Sequence, residues 1–291
     1  RDLMKSGVSD YVVMPTNAPT LVNAVSDVFL SEGAAPIGRS IAFIGTKGGA
    51  GSSTVAHNVA WSIANAIRQD VLLLDLDLPF GTAGLDFNQD PPQGMADAIF
   101  ANEKMDAVML DRLMSKAANH VNLLAAPATL DRTYDLSGRS LEQILDLSQK
   151  QVPVVILDLP HLWTEWVRHT LATVDEVVIV AEPDLANLRN AKSLSDTITG
   201  MRPSDSPPAL VINQAGVPKR PEIPAEEFAA SIECELAGVI GFEPALFGTA
   251  SNNGQMIAEV SANHKVNDTF LAIGMQVTGR VVPDQSGKAQ G

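Results

Sequence analysis

The stretch "SIAFIGTKGGAGSSTVAHNVAWSIANAI", residues 40–67, joins an apolar run to a helical pattern through a glycine-rich link. Five apolar or small residues precede Gly45, a signature of a strand buried on both faces. After Gly51 the apolar residues recur three and four apart, which predicts a helix. Glycines at 48, 49 and 51 allow positive φ and close backbone approach. A helix starting near Ser52 aims its free N–H groups and its dipole at an anion. This is the strand–loop–helix context of a phosphate-binding loop, G-x-x-x-x-G-K-[ST]. Gly45 and Gly51 have that spacing, and Ser53 would place its hydroxyl on Mg²⁺. The lysine position, however, is Ser52.

Working outward, six further apolar runs follow: "VLLLDLD" (71–77), "VNLLAAP" (121–127), "PVVILDLP" (153–160), "EVVIVAEP" (176–183), "PALVINQ" (208–214) and "LAGVIGF" (236–242). Helical segments such as "SLEQILDLSQK" separate them. Continuous apolar strands alternating with amphipathic helices predict an α/β fold, a mostly parallel twisted sheet of about seven strands with helices on both faces in three layers. The domain is expected over residues 40–280. Before it, 1–32 reads as helix end, short strand and helix, and 33–39 as a Gly/Ala/Pro-rich linker. Residues 281–291, without periodicity, are expected to be disordered.

Composition narrows the classes. Twenty basic against thirty-four acidic residues give a formal net charge of −14. That balance opposes direct nucleic-acid or anionic-lipid contact unless a basic patch exists, and the sequence holds none. The single cysteine, Cys234, forms no intramolecular disulfide or thiolate cluster, so a reducing cytoplasm is the expected location. No apolar run approaches the ~18 residues that span a bilayer.

"KGGAGSST" (47–54) resembles the deviant phosphate loop K-G-G-x-G-K-[ST]-[ST] of the MinD/ParA ATPases. The resemblance implies ATP with Mg²⁺ held by Gly48, Gly49, Ala50, Gly51, Ser52, Ser53 and Thr54. It also implies a nucleotide-sandwich homodimer in which Lys47 reaches the partner's phosphates. The family's second lysine is absent, which predicts weaker binding or slower turnover. "VLLLDLDLPFGT" resembles the family's second motif, with Asp75 near the Mg²⁺ water shell and Asp77 orienting the attacking water. "VVILDLP" resembles Walker B, with Asp158 holding Mg²⁺ through water. Asn213 in "LVINQ" matches an asparagine that contacts adenine.

Several branches of that family fit poorly. Iron–sulfur members need cysteines, DNA-partitioning members a basic surface, and MinD-like anchors a basic C-terminal helix. "VNDTFLAIGMQVTGR" (266–280) ends in one arginine and reads instead as a helix packed on the sheet. "SGVSDYVVMPTNAPTLVNAV" (6–25) resembles the last strand and helix of a receiver domain, with Met14 replacing its lysine. Together these features resemble the CpaE/TadZ proteins of Flp/Tad pilus assembly. The resemblance implies a slow ATPase that localises or assembles a pilus secretion apparatus, often at a cell pole, with pilus secretion-system proteins as partners and no membrane anchor of its own. The alternatives are a non-hydrolysing ATP-sensing scaffold and a ParA-type or flagellar-number positioning ATPase.

Other residues receive plainer readings. His57 and His161 belong to no metal-binding spacing. Trp61 and Trp163 are expected to pack on helix faces, and Trp166 is left open between packing and a partner. "PAEEFAASIECE" (224–235) reads as a solvated helix face.

Overall fold

The computed structural model describes residues 37–101, 105–130, 136 and 138–280. The expected receiver-like piece, most of the linker and the expected disordered tail lie outside the described residues. Strand β1 (Arg39–Gly45) leads through the glycine loop into α1 (Ser52–Ser62), which ends in a π-helical turn, Ile63–Ile67. Then come β2 (Val71–Asp75), α2 (Ala83–Asp86), α3 (Met95–Ala101), α4 (Ala107–Leu113), β3 (Ser115–Ala118) and β4 (Val121–Leu124). The second half runs α5 (Gly138–Gln151), β5 (Val154–Leu159), α6 (Glu165–Thr173), β6 (Glu176–Ala181), α7 (Leu185–Met201), β7 (Ala209–Ala215), α8 (Ala225–Ile232) and β8 (Glu235–Gly241). It closes with α9 (Pro244–Asn253), α10 (Ile257–Val260) and α11 (Val266–Thr278).

The strands form one eight-stranded sheet in the order β3-β4-β2-β5-β1-β6-β7-β8. All pairs are parallel except β3 with β4. All seven expected strands are present, and β3 is the addition. It pairs antiparallel through the tight turn at Asn119 and His120, where His120 has φ 61°. "SKAA" has no β-branched or aromatic residue, so nothing in its composition announces a strand. Beta-2 also stops at Asp75, which leaves Asp77 in the turn that follows.

Alternate strand residues face opposite layers. Ile41 and Phe43 of β1 join a core with α1, the π turn and α11, where Phe270 and Ile273 are fully buried. Ala42 and Ile44 join the other core, with α3 to α8. Burial on both faces is why the strands read as unbroken apolar runs. Residues 266–280, expected to pack on the sheet, do so as α11. Gly274 lies so close to the π turn that a Cβ there would meet Ile63 at 2.9 Å. In α8 the glutamates are solvated as expected, but Phe228, Ala229 and Ile232 are buried.

Candidate nucleotide site

The carboxyl ends of β1, β2, β5, β6 and β7 converge, the edge where ligands of open α/β sheets collect. The loop after β1 is held from several sides. Thr46 is fully buried: its N–H donates to the Val180 carbonyl at 2.9 Å, its hydroxyl hydrogen-bonds Asn187, and its carbonyl accepts from Asn190 at 2.9 Å. From β7, the Asn213 amide donates to the Ala50 carbonyl at 2.8 Å and the Gln214 amide to Gly49 at 3.1 Å. Gly49 and Gly51 have φ of 87° and 84°, values that side-chain-bearing residues rarely adopt and that favour glycine.

The loop is shaped to be approached. A Cβ on Gly48 or Gly49 would meet nothing within 4 Å. Helix α1 begins at Ser52 with Gly51 as its N-cap, so no side chain occupies its first N–H groups. Beside it, Gly49, Gly51, Thr54, Asn213, Phe242 and Pro244 line a cavity of about 310 Å³. These features suit an anion on the backbone donors and an aromatic or apolar group alongside.

The acidic side of the site lies next door. Asp75 and Asp158 stand opposite each other in the β2–β5 register, both buried. Asp75 accepts the N–H groups of Ala83 at 3.0 Å and Asp77 at 3.3 Å, which pins the turn into α2. Burial, then the charge of Asp158, pushes its pKa up to about 7. Burial also raises Asp77, which sits partly buried and accepts the Phe80 N–H at 3.3 Å. Asp158 keeps one oxygen, Oδ1, buried without a hydrogen-bond partner. An orphaned anionic oxygen next to a second acid fits a cation or the water around one. Among the described residues no three His, Cys, Asp or Glu side chains form a direct ligand shell. A metal here would therefore draw on water, Ser53 and an anionic ligand.

Lys47 is half-exposed and lies 3.7 Å from Glu182 and 3.9 Å from Asp184 of its own chain. Glu182 is shared with Arg220 at 2.8 Å. Asp184 is partly buried, which alone would raise it. The N–H of Asn187 and the charge of Lys47 together hold its pKa below the usual value.

One reading of the sequence is corrected. Trp163, expected to pack, is 52% exposed and lines a cavity of about 470 Å³ with His161 and Arg168, because it falls in the loop before α6 rather than on a helix. Trp61 and Trp166 do pack on the two cores. The His57 ring, for which the sequence offered no metal-binding spacing, is fully buried, with Nδ1 2.8 Å from Asp86 and Nε2 3.2 Å from Asp158. Burial opposes its charge, but the hydrogen bonds and charges of Asp158 and Asp86 outweigh this and raise its pKa to about 10. A histidine within the mostly apolar stretch 55–60 of α1 was the one available signal.

Residues 38–209, more than half the chain, match the family described as AAA domain, and the chain belongs to that family. In sequence and fold the chain is similar to MinD and ParA proteins. Septum site-determining protein MinD of Synechocystis sp. is 22% identical over 255 residues, covering 84% of this chain and 91% of that protein. The ParA family ATPase from Chlorobium tepidum TLS shares the fold with a TM-score of 0.72 at 21% identity, over 83% of this chain and 99% of that one. MinD from Pyrococcus horikoshii OT3, solved in complex with Mg-ADP, gives 0.71 at 17% identity over 83% and 96%.

Proposed function

We propose that this chain is a nucleotide switch that binds ATP with Mg²⁺, pairs with a second copy across the nucleotide and hydrolyses it slowly. In the cell it would localise or assemble a Flp/Tad type IV pilus secretion apparatus, with that system's proteins as partners. The observation that carries the reading is the meeting, at one sheet edge, of an uncapped glycine loop and a buried acid pair with a free oxygen. The Mg-ADP complex of the Pyrococcus relative supports the choice of ligand.

In this reading the loop from Gly48 to Thr54 binds the phosphates, with Ser52 adding a hydroxyl where a lysine would add charge. Ser53 and Asp158 hold Mg²⁺, which when bound supplies charge neutralisation to the phosphates. Asp75 sits within reach of its water shell and fixes the turn. That turn presents Asp77 to the attacking water, and Asn213 borders the base. Lys47 leaves Glu182 and Asp184 to reach the partner's phosphates. The pilus assignment rests on the receiver-like residues 6–25, the missing loop lysine and the acidic charge, which together resemble the pilus-assembly branch of the family.

The test is light scattering with ATP and Mg²⁺ beside phosphate release, on the full chain, Lys47→Ala and Asp77→Ala. ATP should double the mass of the wild type. Lys47→Ala should stay monomeric, and Asp77→Ala should dimerise without releasing phosphate. Ser52 and the contacts of Lys47 within its own chain favour one second reading, an ATP-sensing scaffold. For that protein the wild type would dimerise and release no phosphate. In the native cell, Lys47→Ala should remove surface pili and leave chromosome segregation intact; a segregation defect would point to partitioning instead.

A further inference from the structure

His57 has no part in the roles assigned above, yet its ring is fully buried beside the site. It lies on α1, one turn and a half beyond the loop, and points under β5. Its two ring nitrogens face two carboxylates: Nδ1 meets Asp86 Oδ2 at 2.8 Å, and Nε2 meets Asp158 Oδ2 at 3.2 Å. Phe87 covers the ring, with centroids 5.9 Å apart. An ionised carboxylate only accepts hydrogen bonds, so a ring serving both donates from both nitrogens. Burial of such a ring is sustainable because a carboxyl group faces each of its nitrogens.

The bridge divides the oxygens of Asp158 unequally. Oδ2 is taken by His57, and Oδ1 is buried with no partner. It also joins two parts of the fold. Asp86 is the last residue of α2 and accepts the Thr82 hydroxyl at 3.3 Å, while Asp75 accepts the Ala83 N–H at the other end of the same short helix. Asp75 and His57 thus hold both ends of α2, and the turn before it carries Asp77.

We propose that His57 is a positioning residue for the metal: by clamping Asp158 at Oδ2 it reserves Oδ1 for the Mg²⁺ water shell, and through Asp86 it locks the Asp77 turn to that acid. The inference rests on the Mg²⁺-nucleotide reading of the site and adds the element that orients its acid. Partners of this kind, one layer out from a metal, typically change metal affinity by about 10- to 100-fold when removed.

The test compares binding of a fluorescent ATP analogue with saturating Mg²⁺ and with EDTA, on the full chain, His57→Phe, His57→Gln and Asp86→Asn, with melting curves alongside. His57→Phe keeps the volume and removes the clamp. The ratio of the two affinities should fall about tenfold, while affinity in EDTA stays within about twofold of wild type. His57→Gln, which keeps one donor, should recover part of the ratio. Asp86→Asn, cut from the outer end and least demanding of the core, should lower it in the same direction and decides the matter where His57→Phe does not fold. An unchanged ratio in foldable variants, or equal losses with and without Mg²⁺, would overturn the clamp and leave the nucleotide reading standing. A wild type whose binding ignores Mg²⁺ would overturn both.

Discussion

At the scale of single residues, Gly51 shows how tightly the loop is built. It combines φ 84° with a Cβ direction that runs into the Asn213 amide at 2.3 Å. Alanine there meets backbone strain and must also displace the side chain that holds the Ala50 carbonyl. Gly51→Ala should therefore lower ATP affinity by at least about tenfold, equivalent to about 1.4 kcal/mol, in a titration with the same fluorescent analogue. Gly48→Ala, with open space around its Cβ, should retain the fold and lose affinity only through contact with the ligand. The glycines were legible because their spacing is local. His57 was not: Asp86 and Asp158 lie 29 and 101 positions away, and no local spacing marks a bridge between them.

At the scale of elements, the strands were legible because each is covered on both faces and must be apolar throughout. Beta-3 escaped because an edge strand of small and charged residues needs only a turn and one neighbour. The turn between β2 and α2 is the element on which the acidic half of the site depends. A Cβ at Gly81 would approach both carboxylate oxygens of Asp75 at 2.3 Å. Gly81→Ala should push the Asp75 carboxylate off the Ala83 N–H, destabilise the protein by about 1–3 kcal/mol in urea titrations, and abolish phosphate release through the displaced Asp77. Helix α11 gives a contrasting case. Phe270 is 1% exposed in the core beneath α1, far along the chain from the loop that leads into α1. Phe270→Ala should cost about 3–5 kcal/mol and leave the Mg²⁺ dependence of any remaining binding unaltered.

For the whole molecule, pH acts through groups whose folded pKa values are raised. Asp75, raised to about 7, and Asp77 favour the fold when protonated, and His57, raised to about 10, favours it when charged. A raised group contributes fully below its unfolded value and loses that contribution as pH climbs through the folded one. Asp75 weakens the nucleotide-free protein from about pH 4 to 7, and His57 does so from about pH 6.5 to 10. Asp184 and Glu222, both lowered, act at the acid end, where protonation removes their contribution. The urea midpoint of the nucleotide-free protein should thus peak at mildly acidic pH and decline steadily towards pH 10. Asp158→Asn should shift Asp75 back towards ordinary values and flatten the first part of that decline.

The chain order of the sheet also sets a timetable for synthesis. Among the described residues β1, which carries the loop, is the first strand made, but Ile41 finds its neighbours in Ile156 and Glu176, and the loop's clamps, Asn187 and Asn213, come later still. At ribosomal speeds of about 5–20 residues per second, the central strand waits on the order of ten seconds for a partner. Throughout that interval its apolar run is unpaired while β2, β3 and β4 emerge behind it. Nascent chains arrested before β6 should be captured by chaperones and cleaved readily within β1. Those released after β7 should protect it, so the part of the sequence that announces the fold is among the last to be secured.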